Sequence, residues 1–178
     1  MSDFKVPSRD QLAPDAQTIY DQFQQSMGKM PNLYATIGYS ANALASYTQY
    51  VKAQVKNTFH ARDREGIYLI VSELNGCEYC LASHTASAVK AGWKEEDTLL
   101  VRAGTHPDKK WQVIYRIVRS AIENKGAVDD NLVKAFYELG FNEAALIDLF
   151  VLINVMSFTN YVFRLTQIPI DFPAAKAI

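Results

Sequence analysis

The chain has only two cysteines, too few for a disulfide scaffold. At 178 residues it needs none, because folding at that size buries roughly 70% of the unfolded surface. Charge of either sign is not in excess: 18 Lys and Arg face 19 Asp and Glu, a net charge of -1, which leaves no field to steer nucleic acid or an anionic membrane. Neither G-x-G-x-x-G nor G-x-x-x-x-G-K-[ST] occurs, and no flavin, haem or nucleotide motif is seen. The opening stretch MSDFKVPSRDQLAPD has no apolar segment after a basic start, and no run reaches the ~18 uncharged apolar residues of a membrane span. Repeats, low-complexity tracts and charge runs are missing as well. These absences predict a soluble, cytoplasmic protein, one domain over residues 1–178, with no cofactor and no nucleic-acid or membrane partner.

What is present is helical periodicity punctuated by glycine. Apolar residues recur at helix spacing, and Gly28, Gly76, Gly92, Gly104, Gly126 and Gly140 each follow a periodic run where a left-handed cap is expected. The pattern predicts helices over Pro14 to Met27, Ala41 to Lys56, Ala61 to Asn75, Glu78 to Ala91, Glu95 to Ala103, Pro107 to Lys125, Asp129 to Leu139 and Glu143 to Leu165. Pro107 suits a first helical turn, and Asp129 and Asn142 suit N-caps. No strand alternation is long enough for a sheet, so the fold class is all-α. The segment from Pro31 to Ser40 reads as a loop or a broken helix. The last helix is apolar on more than one face, which makes it central or a subunit contact. The tail Gln167 to Pro173 cannot continue it, because each proline forces the preceding residue into an extended conformation. It is expected to lie across a surface.

Between Glu65 and His84 the sequence reads EGIYLIVSELNGCEYCLASH. Cys77, Cys80 and His84 fall at i, i+3 and i+7, one face of a helix. The two sulfurs are close enough in sequence to close a disulfide, and their place just after Gly76 is a helix N-terminus, where a thiolate is favoured. His84 can exchange a proton with Cys80. Glu65 and Glu73 both lie on the preceding helix, only ~80° apart around its axis, so spacing does not choose between them. Buried structural cysteines, a zinc site using the two thiolates and the imidazole, and a redox sensor without turnover are the competing readings. Zinc lacks an evident fourth ligand, since there is no second C-x-x-C and only His60, His106 or a Glu could be recruited. Tyr34, Tyr39, Tyr68, Phe158 and Tyr161 are candidates for an apolar pocket, although large aromatics mostly fill cores. Trp93 and Trp111 read as packing.

The spacing E-x11-C-x2-C-x3-H, carried by Glu65, Cys77, Cys80 and His84, resembles the D-type alkyl hydroperoxidases of the carboxymuconolactone decarboxylase superfamily, and more closely their peroxidase-related branch. A looser likeness extends to the run from Asn154 to Phe163. The resemblance implies a compact all-α bundle with the C-x-x-C on a helix hairpin, assembled as trimers or hexamers, and a thiol-dependent peroxidase. Cys80 would attack the hydroperoxide, Cys77 would resolve the sulfenic acid to a disulfide, and Glu65 and His84 would relay protons. A lipoyl-bearing or thioredoxin-like protein would be the reductant. One position departs from the pattern: the family carries a histidine just before the second cysteine, where this chain has Tyr79. The paired cysteines argue against lactone decarboxylation.

Overall fold

The computed structural model describes residues 4–178; the first three residues of the opening stretch lie outside it. A single 3₁₀ turn, Arg9–Gln11, precedes nine helices among the described residues: α1 Pro14–Met27, α2 Asn32–Ile37, α3 Ala41–Ala53, α4 Ala61–Leu74, α5 Glu78–Lys90, α6 Glu95–Ala103, α7 Lys109–Glu123, α8 Asp130–Glu138 and α9 Glu143–Thr166. No strand occurs among those residues.

Most predicted boundaries are found within two residues. The run from Ala41 to Lys56 ends as a 3₁₀ turn, Gln54–Lys56. The segment read as loop or broken helix holds α2. Pro107 is not the first helical residue: Asp108 caps α7 by accepting the Lys110 N–H at 2.8 Å, which leaves the proline outside. Asp129 and Asn142 are N-caps as expected, accepting from Asn131 and Ala145.

Helix α4 is the hub. It packs against α5, α6, α7 and α9, and Gly66 through Ser72 are buried without a break. Gly66 is required by contact, since a Cβ there would lie 2.6 Å from the Trp111 ring and 2.7 Å from the Trp93 ring. Those two indoles meet edge to face at 5.0 Å and close the far side of α4. Helix α9 is long and apolar enough by length and composition to cross a membrane. Here its inner face, including Leu149, Leu152, Met156 and Asn160, is core, while Ile147 and Tyr161 are exposed.

The tail crosses the surface of its own chain. Lys29 Nζ donates to the Asp171 carbonyl at 2.5 Å and to its carboxylate at 2.9 Å, and Asn32 Nδ2 donates to Pro169 O at 3.0 Å. Farther on, buried Arg102 donates to Lys176 O.

Candidate active site

The turn between α4 and α5 sets the site. Gly76 N–H donates to Glu73 O at 3.0 Å and Cys77 N–H to Ser72 O at 2.9 Å, the paired bonds of a Schellman motif with glycine in the left-handed position. Gly76 has φ +62°, and a Cβ on it would stand 2.7 Å from Arg164 Nη1, which itself donates to Asn75 O and Gly76 O. Cys77 therefore closes α4 and opens α5 at once. It is the N-cap of α5, and its Sγ accepts the Cys80 N–H at 3.3 Å.

Both cysteines are free thiols and almost wholly buried, 0% exposed for Cys77 and 2% for Cys80. Their environments push them apart. A hydrogen bond from the Cys80 thiol lowers the Cys77 thiol, and the Cys80 and Tyr79 backbone N–H groups and the Asn160 amide add to that. Burial raises Cys80 well above the ordinary thiol value, and the neighbouring Cys77 raises it further. The pair shares its first ionisation, with the charge resting on Cys77. Access favours the other sulfur. Cys80 lines a cavity of about 30 Å³ with Leu33, Tyr34, Tyr47, Tyr79, Ser83, His84 and Thr159, and Cys77 does not.

On the cavity wall, His84 Nδ1 stands 2.7 Å from Glu65 Oε2. With Nδ1–H donating to the carboxylate, Nε2 carries the lone pair that can act as a base. Tyr68 packs edge-on against the imidazole at 5.0 Å. The choice that spacing left open between the two glutamates is made by partners: Glu73 is held by Arg102 at 2.7 Å, while Glu65 orients His84.

Several contributors were not singled out from the sequence, although the first two lie in the run from Asn154 to Phe163 that shares the looser likeness. Thr159 Oγ1 lies 3.8 Å from Cys80 Sγ and Asn160 lies between Asn75 and Ser72; both come from α9, 79 or more residues away in sequence. Tyr79 does not reach the thiols as the missing histidine would. Its hydroxyl donates to Asp171 Oδ1 and accepts the Leu33 N–H. Among the aromatic candidates, Tyr34 lines the cavity, Tyr68 backs His84 and Phe158 stacks on Tyr47 at 5.0 Å. Tyr39 and Tyr161 belong neither to the core nor to this cavity, being 55% and 59% exposed. No three of His, Cys, Asp or Glu converge as metal ligands among the described residues, so the zinc reading has no ligand set here.

Residues 40–123 match the carboxymuconolactone decarboxylase family, a span that contains Glu65, both cysteines and His84. No curated protein matches the sequence. Among solved structures, the chain is similar to an uncharacterized peroxidase-related protein from Ralstonia eutropha JMP134 with an alkylhydroperoxidase AhpD core (TM-score 0.84, 17% identity, 94% of this chain and 91% of that one). It is similar to an uncharacterized peroxidase-related protein from Silicibacter sp. TM1040 (TM-score 0.80, 19% identity, 95% and 89%). A variant of the debrominase Bmp8 bound to 2,3,4-tribromopyrrole is also similar (TM-score 0.78, 15% identity, 96% and 92%).

Proposed function

From the match of residues 40–123 to the carboxymuconolactone decarboxylase family and the fold shared with an AhpD-core protein, we propose that this chain is a thiol-dependent peroxidase working through Cys77 and Cys80. One observation carries the reading: a free thiol, Cys80, shares a cavity with an imidazole that a carboxylate holds at 2.7 Å, while a second free thiol sits three positions before it.

The steps follow from the two environments. Cys80 is the attacking sulfur because it alone of the pair faces the cavity. Its proton is tightly held, so attack needs a base, which is His84 Nε2 with Glu65 stabilising the imidazolium. The Cys80 thiolate attacks the outer oxygen of the hydroperoxide, the O–O bond breaks, and the leaving alkoxide takes the proton from His84 to depart as the alcohol. Cys80 is now a sulfenic acid. Cys77, already biased towards thiolate, attacks that sulfur; the S–S bond forms and hydroxide leaves as water. The sum is two thiols and one hydroperoxide giving a disulfide, an alcohol and water. A dithiol reductant, lipoyl-bearing or thioredoxin-like, restores the pair, and assembly of several copies in the cytoplasm is part of the proposal.

A second reading rests on the three tyrosines, Tyr34, Tyr47 and Tyr79, that surround Cys80 and on the debrominase likeness. There the same dithiol would reduce a halogenated aromatic ring, releasing halide and leaving the disulfide. One titration decides among the readings. The reduced protein receives one equivalent of cumene hydroperoxide or of a bromopyrrole, and thiols are counted in denaturant with intact mass. Loss of two thiols and two hydrogens with the hydroperoxide supports the peroxidase; the same loss with the bromopyrrole alone supports the dehalogenase. Two untouched thiols with both would leave a binding or sensing module.

A further inference from the structure

The cavity at Cys80, about 30 Å³, has the volume of about one water molecule. Hydrogen peroxide fits such a space, whereas an organic hydroperoxide can place only its O–O group there and must rest its body elsewhere. The walls are unequal. Tyr47 is fixed, since its hydroxyl donates to Val155 O at 3.2 Å and its ring packs on Phe158 at 5.0 Å. Tyr34, on the six-residue helix α2, packs on Phe23 of α1 at 4.8 Å on one side and on Tyr47 at 5.8 Å on the other, so this wall is a single ring.

On the other side of Tyr34 lies a groove of about 520 Å³ between α1 and α3, within the roughly 300–1,000 Å³ of small-molecule sites. Ile19, Phe23, Ala45 and Val51 give it an apolar side, and five polar side chains, Gln49 and Lys52 among them, line the rest. Tyr34 is the residue common to groove and cavity, so its ring is the partition between them.

Resting on the peroxidase reading, we propose that the α1–α3 groove binds the apolar body of a large organic hydroperoxide, of the unsaturated fatty-acid hydroperoxide class. Tyr34 is the gate through which its O–O group reaches Cys80. The polar side leaves the head group of such a molecule in water while the apolar side takes its hydrocarbon, and the hydroperoxide, borne on a carbon within the chain, points past the displaced phenol ring to the sulfur.

The test compares hydrogen peroxide with linoleic acid hydroperoxide in rapid-mixing thiol oxidation, using the wild type, Ala45→Phe and Gln49→Trp. Both substitutions lie on α3 and fill the groove without touching Cys80, His84 or Glu65; exposed Gln49 provides the variant least able to disturb folding. The expected result is a fall of about tenfold or more in kcat/KM for the lipid hydroperoxide, with hydrogen peroxide unchanged. Equal rates in variants and wild type with both peroxides, or equal losses with both in a folded Gln49→Trp, would overturn the groove assignment while the peroxidase reading stands. Thiols inert to both peroxides in the wild type would instead overturn the peroxidase reading, and this proposal with it.

Discussion

Tyr79 Oη donates a 2.5 Å hydrogen bond to Asp171 Oδ1, and the two residues are 92 positions apart. The phenol stands next to Cys80 in sequence and lines its cavity, so the C-terminal tail is tied to the thiol turn through one side chain. Asp171 also holds Lys29 at 2.9 Å. Asp171→Ala removes the acceptor of a largely buried phenol and is expected to cost about 1–3 kcal/mol, read as a lower urea midpoint with unchanged slope. An unaltered midpoint would show that the tail contributes nothing to holding the turn.

The two cysteines are expected to fail differently. Cys80→Ser abolishes hydroperoxide consumption. Cys77→Ser consumes one equivalent, stops as a sulfenic acid with a mass gain of one oxygen, and does not turn over. Full turnover in Cys80→Ser would refute the assignment of the attacking sulfur.

Glu65→Gln and His84→Ala are expected to slow the first oxidation step by about 10²–10⁴, the usual range for general acid–base help. Glu73→Gln, whose carboxylate serves Arg102, should leave that rate alone while lowering stability. Stopped-flow thiol oxidation set beside thermal unfolding separates the two outcomes.

Thiolate absorbance followed against pH should show two steps. The first belongs to the pair with charge on Cys77 and lies below the ordinary thiol value, because the Cys80 thiol and backbone N–H groups hydrogen-bond to it. The second lies well above that value, because Cys80 is buried. The linkage signs are opposite. Cys77, depressed in the folded state, adds stability above its unfolded pKa and loses it as pH falls through the folded one. Cys80, raised, keeps its contribution below the unfolded pKa and loses it as pH rises. In Cys77→Ser the early step should vanish; its persistence would place the first charge elsewhere.

Gly66→Ala inserts a methyl where the rings of Trp93 and Trp111 stand within 3 Å. The expected cost is about 1–3 kcal/mol of overpacking, with a slower first oxidation step because α4 carries Glu65 beside it. Thermal unfolding and the oxidation rate should fall together; loss of neither would mean the indole pair yields.

Helix existence was legible because each core-facing stripe repeats at the period of the backbone, and six of the stops, after α1, α4, α5, α6, α7 and α8, are followed by a glycine that adopts positive φ. The short helix α2 was not, since its six residues carry too few periods to register. The chemistry was legible for a local reason: Glu65, Cys77, Cys80 and His84 sit on two consecutive helices joined by a tight turn, so one short stretch of sequence nearly fixes their geometry.

The sequence by itself determined the helical class, the helix stops and the four chemical groups, all consequences of interactions within a few residues along the chain. The tertiary structure alone decided that Glu65 rather than Glu73 serves His84, and that Cys80 rather than Cys77 meets the cavity. It also decided that Tyr79 answers to Asp171, and that Thr159 and Asn160 of α9 reach the thiols. Those choices depend on which faces of α4, α5, α9 and the tail are pressed together, and packing between segments far apart in sequence leaves no periodic trace in any one of them.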